Sequence, residues 1–481
     1  MSLKQQVVKS IGWLAVSQIG SQILRVVTTL ILVRLLLPEA FGTIAMILVL
    51  TNFSTQLINF GFASAIIQKK NLTNLDSSSV FWLNVLVGTI ITLLIILFSG
   101  QIALFYEKPI LKPLAIFLAF IYFLGSLSLV HRALLEKNLK FEVLAKIDLL
   151  TFLGSGIIAI TLAKLGYGVW SVAFQEFTIV LIPTLLLWIG SKWRPNFSFS
   201  LHSIKSMFGL SASLFFNSFL AYVSNNLDNM LIGKHFGDQS LGIYSKSFSF
   251  IGIPGRLITA VLSKVMFPLF SIIQDNLKKI KSIFLDLYFL VSFISFPLMI
   301  YVYSIAEHFT LVFFGENWIG MIPFVKIFSI LSMISSLNSI SGILFMSQGR
   351  ADIILKAGVI KRGIIISSIL IGLQFGFMGI AICRLGAEFL NLFVSFFFID
   401  KILNISILKQ FGNILYPIIS SCCIALGLYF LTTYMISNIN VFIIIILSFL
   451  TAILIHVVIG SLFFPLRITQ MKGHINRLIK K

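Results

Sequence analysis

Long apolar stretches, separated by short segments that carry most of the charged residues, run along almost the whole sequence. A helix that crosses the hydrocarbon layer of a membrane needs about 20 mostly apolar residues. By that measure the pattern predicts about fourteen transmembrane helices, called spans 1 to 14. Their expected residues are 11–37, 40–68, 78–100, 110–131, 144–164, 168–190, 204–233, 240–272, 282–306, 320–347, 351–373, 377–400, 411–435 and 440–464. Span 11 has the weakest pattern, because Lys361 and Arg362 lie inside it.

Composition agrees with this pattern and sets the fold class. The chain has 481 residues, of which 58% are hydrophobic and 11% are charged, and its mean hydropathy is +1.03. A soluble globular protein carries roughly 25% charged residues, so we predict an all-α polytopic membrane protein. The three cysteines, Cys383, Cys422 and Cys423, all lie in apolar runs. We therefore expect no disulfide framework, no metal site and no cofactor.

The net charge of +20 fits either a nucleic-acid-binding protein or a membrane protein with basic cytoplasmic loops. When the N-terminus is placed in the cytoplasm, the basic loop residues, Arg132 among them, concentrate in alternate, cytoplasmic segments. The basic residues of the opposite, external loops are Lys108, Lys112, Lys164 and Lys234. This asymmetry predicts cytoplasmic termini and leaves no continuous patch for nucleic acid. The first apolar stretch is too long for a cleaved signal peptide, so we expect a retained helix.

Several basic residues fall inside the predicted spans. Arg25, Arg256 and Lys264 lie about two turns or more from either end of their spans, and each would cost roughly 2.5–3.5 kcal/mol at the bilayer centre. We expect them to line a hydrated cavity; structural pairs or snorkelling to the interface are the alternatives. On one continuous helix, Lys246, Arg256 and Lys264 would be separated by about 280° and then 80°. They would then form a cationic ladder on one face of span 8, opposite Arg25, which favours an anionic passenger.

Acidic residues are fewer within the spans and include Asp148, Glu176 and Asp228. Asp228 follows Asn225 in a polar stretch of span 7, where it could serve as a gate or ion-coupling carboxylate or as a hydrogen-bonded helix contact. Glu176 and Asn225 are candidates for the same gating or coupling role. Arg384 and Glu388 are four residues apart on span 12, a spacing that predicts a structural pair.

A weak internal repeat suggests the domain organisation. Residues 36–45 and 236–245 both consist of a short acidic turn followed by a hydrophobic residue and a glycine that open a long helix. Six crossings separate the two copies, so both have the same orientation. This predicts two six-helix lobes as parallel pseudo-repeats plus two C-terminal helices. The expected domains are 1–190 (N-lobe), 191–203 (cytoplasmic connector), 204–400 (C-lobe) and 401–481 (spans 13 and 14 with a basic tail).

Two motif blocks resemble a known family. The first block consists of residues 132–141, Ile147–Asp148 and 166–170; the second consists of residues 226–233 and 242–244. Together they resemble the bacterial lipopolysaccharide and exopolysaccharide exporters, the polysaccharide transporter branch of the multidrug/oligosaccharidyl-lipid/polysaccharide flippase superfamily. The colanic-acid and teichuronic-acid exporter types are the most similar groups. The resemblance covers roughly residues 5–400.

This resemblance implies a flippase that moves an oligosaccharide linked to undecaprenyl diphosphate from the cytoplasmic to the outer leaflet of the bacterial cytoplasmic membrane. It implies two lobes that rock around a central cavity, driven by a gradient of H⁺ or Na⁺. The diphosphate would be the anion that the four intramembrane cations bind, and Arg suits phosphate oxygens because of its guanidinium fork. The expected partners are the lipid-linked oligosaccharide and membrane lipids. We expect a monomer, and a contact with the polysaccharide polymerase machinery stays open.

Three alternatives compete with this hypothesis. A peptidoglycan lipid-precursor flippase or a drug/cation antiporter would share the fold, although a cation exporter should concentrate acids in its cavity. A membrane-embedded glycosyltransferase or polymerase would need carboxylates gathered at one place for acid–base or metal chemistry. The sequence has no such group of acids in a loop, so we expect that the protein is not an enzyme.

Overall fold

The computed structural model of the protein describes residues 3–51, 62–435 and 441–463. Within these ranges the chain is helical apart from turns and short connections, and it has no β-strand. The chain divides into two compact units, which are Met1–Gly242 (unit 1) and Ile243–Lys481 (unit 2).

The described part of unit 1 consists of helices that follow one another with short connections. They are α1 (Leu3–Leu35), α2 (Pro38–Thr51), α3 (Phe62–Gln68), α4 (Asn74–Leu97), α5 (Ser99–Phe105), α6 (Leu111–Lys137), α7 (Phe141–Lys164), α8 (Val169–Gly190) and α9 (Leu201–Ile251), whose last residues belong to unit 2.

Small residues let α1 and α7 pack closely along each other. A Cβ added to Gly20 of α1 would overlap the side chain of Leu149 in α7, and one added to Gly156 of α7 would overlap Thr28 in α1. Close backbone approach at small residues is the usual basis of helix association inside membranes. This contact brings the polar residues of α1 next to those of α7.

Local sequence signals explain where α4 begins. Thr73 is its N-cap: the Thr73 hydroxyl accepts a hydrogen bond from the Asp76 backbone N–H, and the Asp76 carboxylate accepts one from the Thr73 N–H. This capping box satisfies two backbone donors that a helix start leaves open. The ammonium of Lys69 lies 2.8 Å from the same carboxylate and ties the end of α3 to the start of α4.

Two glycines shape the region predicted as spans 7 and 8. Gly237 has φ 79° and ψ −179°, so α9 contains a kink between the two predicted spans. Glycine adopts positive φ without the penalty that a Cβ imposes. A second interruption at Gly252 separates α9 from α10 (Ile253–Ile272), with Pro254 in the first turn of α10. Predicted span 8 is therefore two helices.

The described part of unit 2 continues from α10 with long helices and one short one. They are α11 (Leu277–Ser304), α12 (Ala306–Phe313), α13 (Ile322–Ser347), α14 (Ala351–Leu373), α15 (Gly376–Leu403), α16 (Ile407–Phe430) and α17 (Val441–Phe463), with a 3₁₀ turn at Glu316–Met321. Its main apolar core joins α10, α11, α13, α14, α15 and α16 and includes Phe270, Phe284, Tyr288 and Phe396, all fully buried.

The structure confirms the predicted all-α, multi-pass membrane fold. Ten of the described helices are long and apolar enough to cross a membrane by length and composition. The predicted count of fourteen is compatible with the helices and stays a prediction, as do the predicted lobe boundaries. Span 2 falls partly on residues 52–61, which lie outside the described residues.

Candidate functional site

Of the four predicted substrate-binding cations, Arg25 is the one that lies in unit 1. Its side chain is exposed on α1, and its guanidinium lies 4.7 Å from the centre of the Phe152 ring on α7. A cation over an aromatic face is held in place while it keeps its charge. Among the described carboxylates, none forms a salt bridge with Arg25. Arg25 can therefore offer its guanidinium to an anion.

A network of charged and polar side chains lies one turn from Phe152, around Asp148 of α7. The Asp148 carboxylate accepts hydrogen bonds from the Ser17 hydroxyl of α1 at 2.9 Å and from two guanidinium nitrogens of Arg132 on α6 at 3.0 and 3.3 Å. The Nε of Arg132 also donates to Glu136 at 3.2 Å. A bidentate Arg–carboxylate pair fixes both groups in direction as well as distance. The network therefore holds α1, α6 and α7 together beside Arg25.

The sequence pattern does not predict this network. The charge pattern placed Arg132 in a cytoplasmic loop, whereas the structure places it within α6, and Asp148 carried no expected partner. The two residues are 16 positions apart on different helices, so helix periodicity gives no reason to pair them. One signal was available: both lie in the first motif block that carries the family resemblance.

Unit 1 has a pocket beside this network. Its volume is about 290 Å³, at the lower end of the range for ligand pockets. The pocket follows one face of α6 and is closed by single residues of α3 and α8; its lining residues are Ala63, Ile121, Tyr122, Gly125, Ser128, Leu129, Arg132, Ala133, Glu136 and Val180. Arg132 and Glu136 supply its charged groups. The pocket has room for a small polar group rather than for a whole lipid-linked oligosaccharide.

The predicted gating or coupling residues occupy different environments in unit 1. Glu176 is half-buried on α8, one turn before the pocket residue Val180. On α9, Asp228 is 1% exposed, and its carboxylate accepts a hydrogen bond from the Asn229 backbone N–H at 2.9 Å. Asn225, three residues earlier on the same helix, is exposed. Their role as gate or coupling residues stays a prediction.

The structure describes the side chains of two of the three cations predicted to form a ladder on span 8. Lys246 is half-buried on α9, whereas Arg256 is exposed on α10 and donates a hydrogen bond to the Ser249 backbone oxygen at 2.7 Å. Between them, Gly252 keeps right-handed helical angles (φ −72°, ψ −11°), and its N–H donates to the Phe248 backbone oxygen at 3.1 Å. The ladder therefore stays a prediction. Lys264 lies on α10, and its side chain is outside the described residues.

The two copies of the internal repeat meet in unit 1. A Cβ added to Gly42 would overlap the Asp238 backbone oxygen, and one added to Gly242 would overlap the Pro38 backbone oxygen. Each residue in one contact corresponds, at the repeat offset of 200 residues, to a residue in the other contact: Gly42 to Gly242 and Pro38 to Asp238. The contact is therefore reciprocal, as at a twofold axis. This relation supports the weak sequence repeat at the level of individual residues.

Charged side chains surround this glycine contact. Asp238 accepts hydrogen bonds from the Thr43 hydroxyl at 3.0 Å and from the Lys108 ammonium. Next to it, the Lys234 ammonium donates to Glu107 at 2.8 Å. That hydrogen bond and the charge of Lys234 hold the pKa of the Glu107 carboxyl below its usual value. These bonds tie the beginning of α2, the connection before α6 and the kink of α9 to one another.

Comparison with known proteins gives the chain a family context. Residues 31–323 match the family described as "Polysaccharide biosynthesis protein". The lipopolysaccharide biosynthesis protein WzxC of Escherichia coli (strain K12) is 27% identical over 408 residues, which cover 83% of this chain and 82% of that protein. The teichuronic acid biosynthesis protein TuaB of Bacillus subtilis (strain 168) is 27% identical over 357 residues, 73% of each chain.

A solved structure shows the same fold. The chain superposes on the lipid II flippase MurJ, in an inward closed conformation, with a TM-score of 0.78, covering 94% of this chain and 98% of that one. Sequence identity between the two is 16%, so the likeness concerns the fold alone.

Proposed function

The chain belongs to the polysaccharide biosynthesis protein family, and from this premise we propose that it is a flippase for a lipid-linked oligosaccharide. It moves an oligosaccharide on undecaprenyl diphosphate from the cytoplasmic to the outer leaflet by alternating access. The observation that carries the proposal is the combination of relatives named for polysaccharide biosynthesis along most of the chain with the fold of a lipid flippase. The chain works as a transporter and not as an enzyme.

The exposed guanidinium of Arg25 is the contact that we assign to the diphosphate. Phe152 holds it by its ring face, so its N–H donors stay available for phosphate oxygens. Two parallel N–H···O bonds to one phosphate would orient the lipid head as well as bind it. Lys246, Arg256 and Lys264 are further contacts in this proposal, offered from unit 2 at another stage of transport.

The cellular setting follows from the same proposal. The protein lies in the bacterial cytoplasmic membrane with both termini in the cytoplasm, works as a monomer, and uses a gradient of H⁺ or Na⁺. Asp228, Asn225 and Glu176 are the residues first expected to respond to that ion. Hand-over of the flipped lipid to a polymerase is a further part of the proposal.

Replacement of Arg25 tests the proposal. In cells that depend on this protein for their surface polymer, we expect Arg25→Ala to abolish export at unchanged protein level, and Arg25→Lys to restore little of it, because a point charge lacks the bidentate fork. Lys164→Ala is the matched control, since Lys164 is an exposed cation at the end of α7. Normal export by Arg25→Ala would contradict the assigned contact, and normal export without the protein would contradict the function.

The related peptidoglycan precursor flippase is the second candidate, favoured by the MurJ-like fold. It can be separated by complementation of a strain depleted of its own lipid II flippase. We expect no growth rescue by this chain. Growth rescue together with unchanged polymer export in its absence would favour that second candidate.

A further inference from the structure

Three helices of unit 2 share a chain of hydrogen bonds between a lysine and a glutamate. The Lys361 ammonium on α14 donates to the Ser395 hydroxyl on α15 at 2.6 Å, and that hydroxyl donates to the Asn338 side-chain oxygen on α13 at 2.6 Å. The Asn338 amide then donates to the Glu388 carboxylate on α15 at 2.7 Å. Lys361, Asn338, Ser395 and Glu388 are called the relay cluster.

Glu388 therefore has a different partner from the one that its spacing predicted. The Arg384 guanidinium, one turn away, lies 5.3 Å from the centre of the Phe248 ring. Of the described acids, none forms a salt bridge with Lys361. Its positive charge and the negative charge of Glu388 are connected through two neutral side chains.

The relay cluster lies in the middle of long helices, away from their ends. Lys361 is near the middle of α14, Glu388 near the middle of α15, and Ser395 is fully buried. A charged side chain near the centre of a membrane helix is costly unless it is paired. The cluster has no net charge when Lys361 is protonated and Glu388 is ionised, or when both groups are neutral. A change in the protonation of either group would unbalance the pair.

The cluster is also incompletely hydrogen-bonded, which distinguishes it from a purely structural network. An ammonium has three N–H donors, and Lys361 uses one of them on Ser395. Asn391 lies on α15 between Glu388 and Ser395 and is 2% exposed, and its side-chain oxygen has no hydrogen-bond partner among the residues that the structure describes. Residues 388, 391 and 395 fall on one face of the helix. A second arrangement, in which the ammonium moves to Asn391 and Glu388, has the acceptors that it needs.

We propose that the Lys361–Glu388 pair is the proton-exchange site that couples transport to the proton gradient, an assignment that rests on the flippase function proposed above. Loss of the Lys361 proton leaves the pair with one negative charge in the membrane interior, and uptake of a proton restores neutrality. The two arrangements of the ammonium let the packing of α13, α14 and α15 respond to that exchange. The other charged groups of these helices are Lys326, Arg350, Asp352, Lys356, Arg362, Arg384, Asp400 and Lys401.

A charge-neutral double replacement separates this proposal from a structural ion pair. Removing one partner leaves an uncompensated charge and destabilises the fold, whereas replacing both with neutral side chains of similar shape is often tolerated. We therefore expect Lys361→Met/Glu388→Gln to keep the protein level and melting temperature of the wild type while proton-driven transport is lost. Arg350→Gln/Asp352→Asn is the matched control, because it neutralises the exposed pair at the start of the same helix.

Proteoliposomes provide the measurement. They contain the full chain and undecaprenyl-diphosphate-linked oligosaccharide extracted from producing cells, and sugar appearing at the opposite leaflet is counted after a proton gradient is imposed in choline buffer. We expect transport by the wild type and the control pair and none by the double variant. Gradient-driven transport by the double variant, or wild-type transport that follows a sodium gradient instead, would overturn the proposal.

The failures of the two proposals remain distinguishable. If the wild type moves no lipid-linked oligosaccharide under any gradient, the proposed function fails. If the wild type moves it and the double variant does so equally under the proton gradient, only the coupling site fails. A Lys361→Arg variant adds a second readout, because Arg keeps its proton at all accessible pH values. Since this variant cannot release the proton, we expect it to lose proton-driven transport, as the double variant does.

Discussion

Gly42 and Gly242 show how single residues support the function. Each glycine lets the backbone of the opposite repeat copy approach where a side chain would collide with it. The sequence repeat made both positions visible, but it could not predict that they touch, since residues 200 apart have no local reason to meet. The contact therefore explains why the turn-and-glycine pattern occurs twice.

Alanine at either glycine should disrupt this contact. A Cβ at Gly42 or Gly242 meets backbone rather than a flexible side chain, and overpacking of this kind costs about 1–3 kcal/mol. We expect Gly42→Ala and Gly242→Ala to lower the melting temperature of the purified protein and to reduce export. Gly100→Ala is the control, because a Cβ there has nothing within 4 Å. Equal melting temperatures for all three variants would contradict the contact.

Asp148 is the second position at which one residue connects several helices. We expect Asp148→Ala to destabilise unit 1 by about 1–3 kcal/mol, because Ser17 and Arg132 lose an ionised acceptor. Glu142→Ala, which removes an exposed pair with Lys146 on the same helix, should cost only about 0.3–0.5 kcal/mol. Denaturant or thermal unfolding in detergent measures both. A smaller effect for Asp148→Ala than for Glu142→Ala would show that the network is not stabilising.

At the scale of helices and connections, the segment after α8 is attached to the start of α4. The Asn196 and Ser200 backbone N–H groups donate to the Ser78 and Ser79 hydroxyls at 3.0 and 2.9 Å. The Trp82 indole N–H returns a hydrogen bond to the Asn196 backbone oxygen at 2.8 Å. The predicted connector, residues 191–203, is thus held on unit 1 by bonds between residues more than a hundred positions apart.

Removal of the serine hydroxyls should release this connector. We expect Ser78→Ala/Ser79→Ala to speed tryptic cleavage after Lys192, because two backbone donors in the connector lose their acceptors. Ser77→Ala serves as the comparison, since the Ser77 hydroxyl bonds only within its own turn, to the Thr73 backbone oxygen. Cleavage rates are read from fragment appearance on gels. Identical rates for the two variants would mean that these bonds do not restrain the connector.

The helices themselves could be predicted well from the sequence, and their contacts could not. Hydropathy places the ends of α7 and α8 within a few residues, because burial in lipid requires a continuous apolar run. It also separated spans 7 and 8 around Gly237, where the positive φ kinks α9. The relay cluster and the Asp148 network depend on tertiary pairing. In both cases, a charged residue inside a predicted span indicates that it has a partner. The sequence does not show which residue that partner is.

At the scale of the whole molecule, two lysines that run against the predicted charge asymmetry are both in ion pairs. Of the lysines predicted to be external, Lys108 is paired with Asp238 and Lys234 with Glu107. The asymmetry between loops depends on Lys and Arg, and acidic residues contribute little to it, so these pairs leave the predicted orientation unchanged. Both pairs join the connection before α6 to the kink of α9. Glu107 and Lys234 must therefore lie on the same side of the membrane.

The orientation can be tested with reporter fusions at five positions. We expect fusions after residues 75, 200, 278 and 475 to report the cytoplasm and a fusion after residue 107 to report the outside, because basic loops stay cytoplasmic. The fusion after residue 107 also checks the ion pair: if it is external, a cysteine at position 234 must react with an impermeant thiol reagent from the outside. Cys383, Cys422 and Cys423 are replaced first, so that only the new thiol is labelled. Opposite reports at all five positions would reverse the orientation, and an external report at residue 475 alone would contradict the count of fourteen spans.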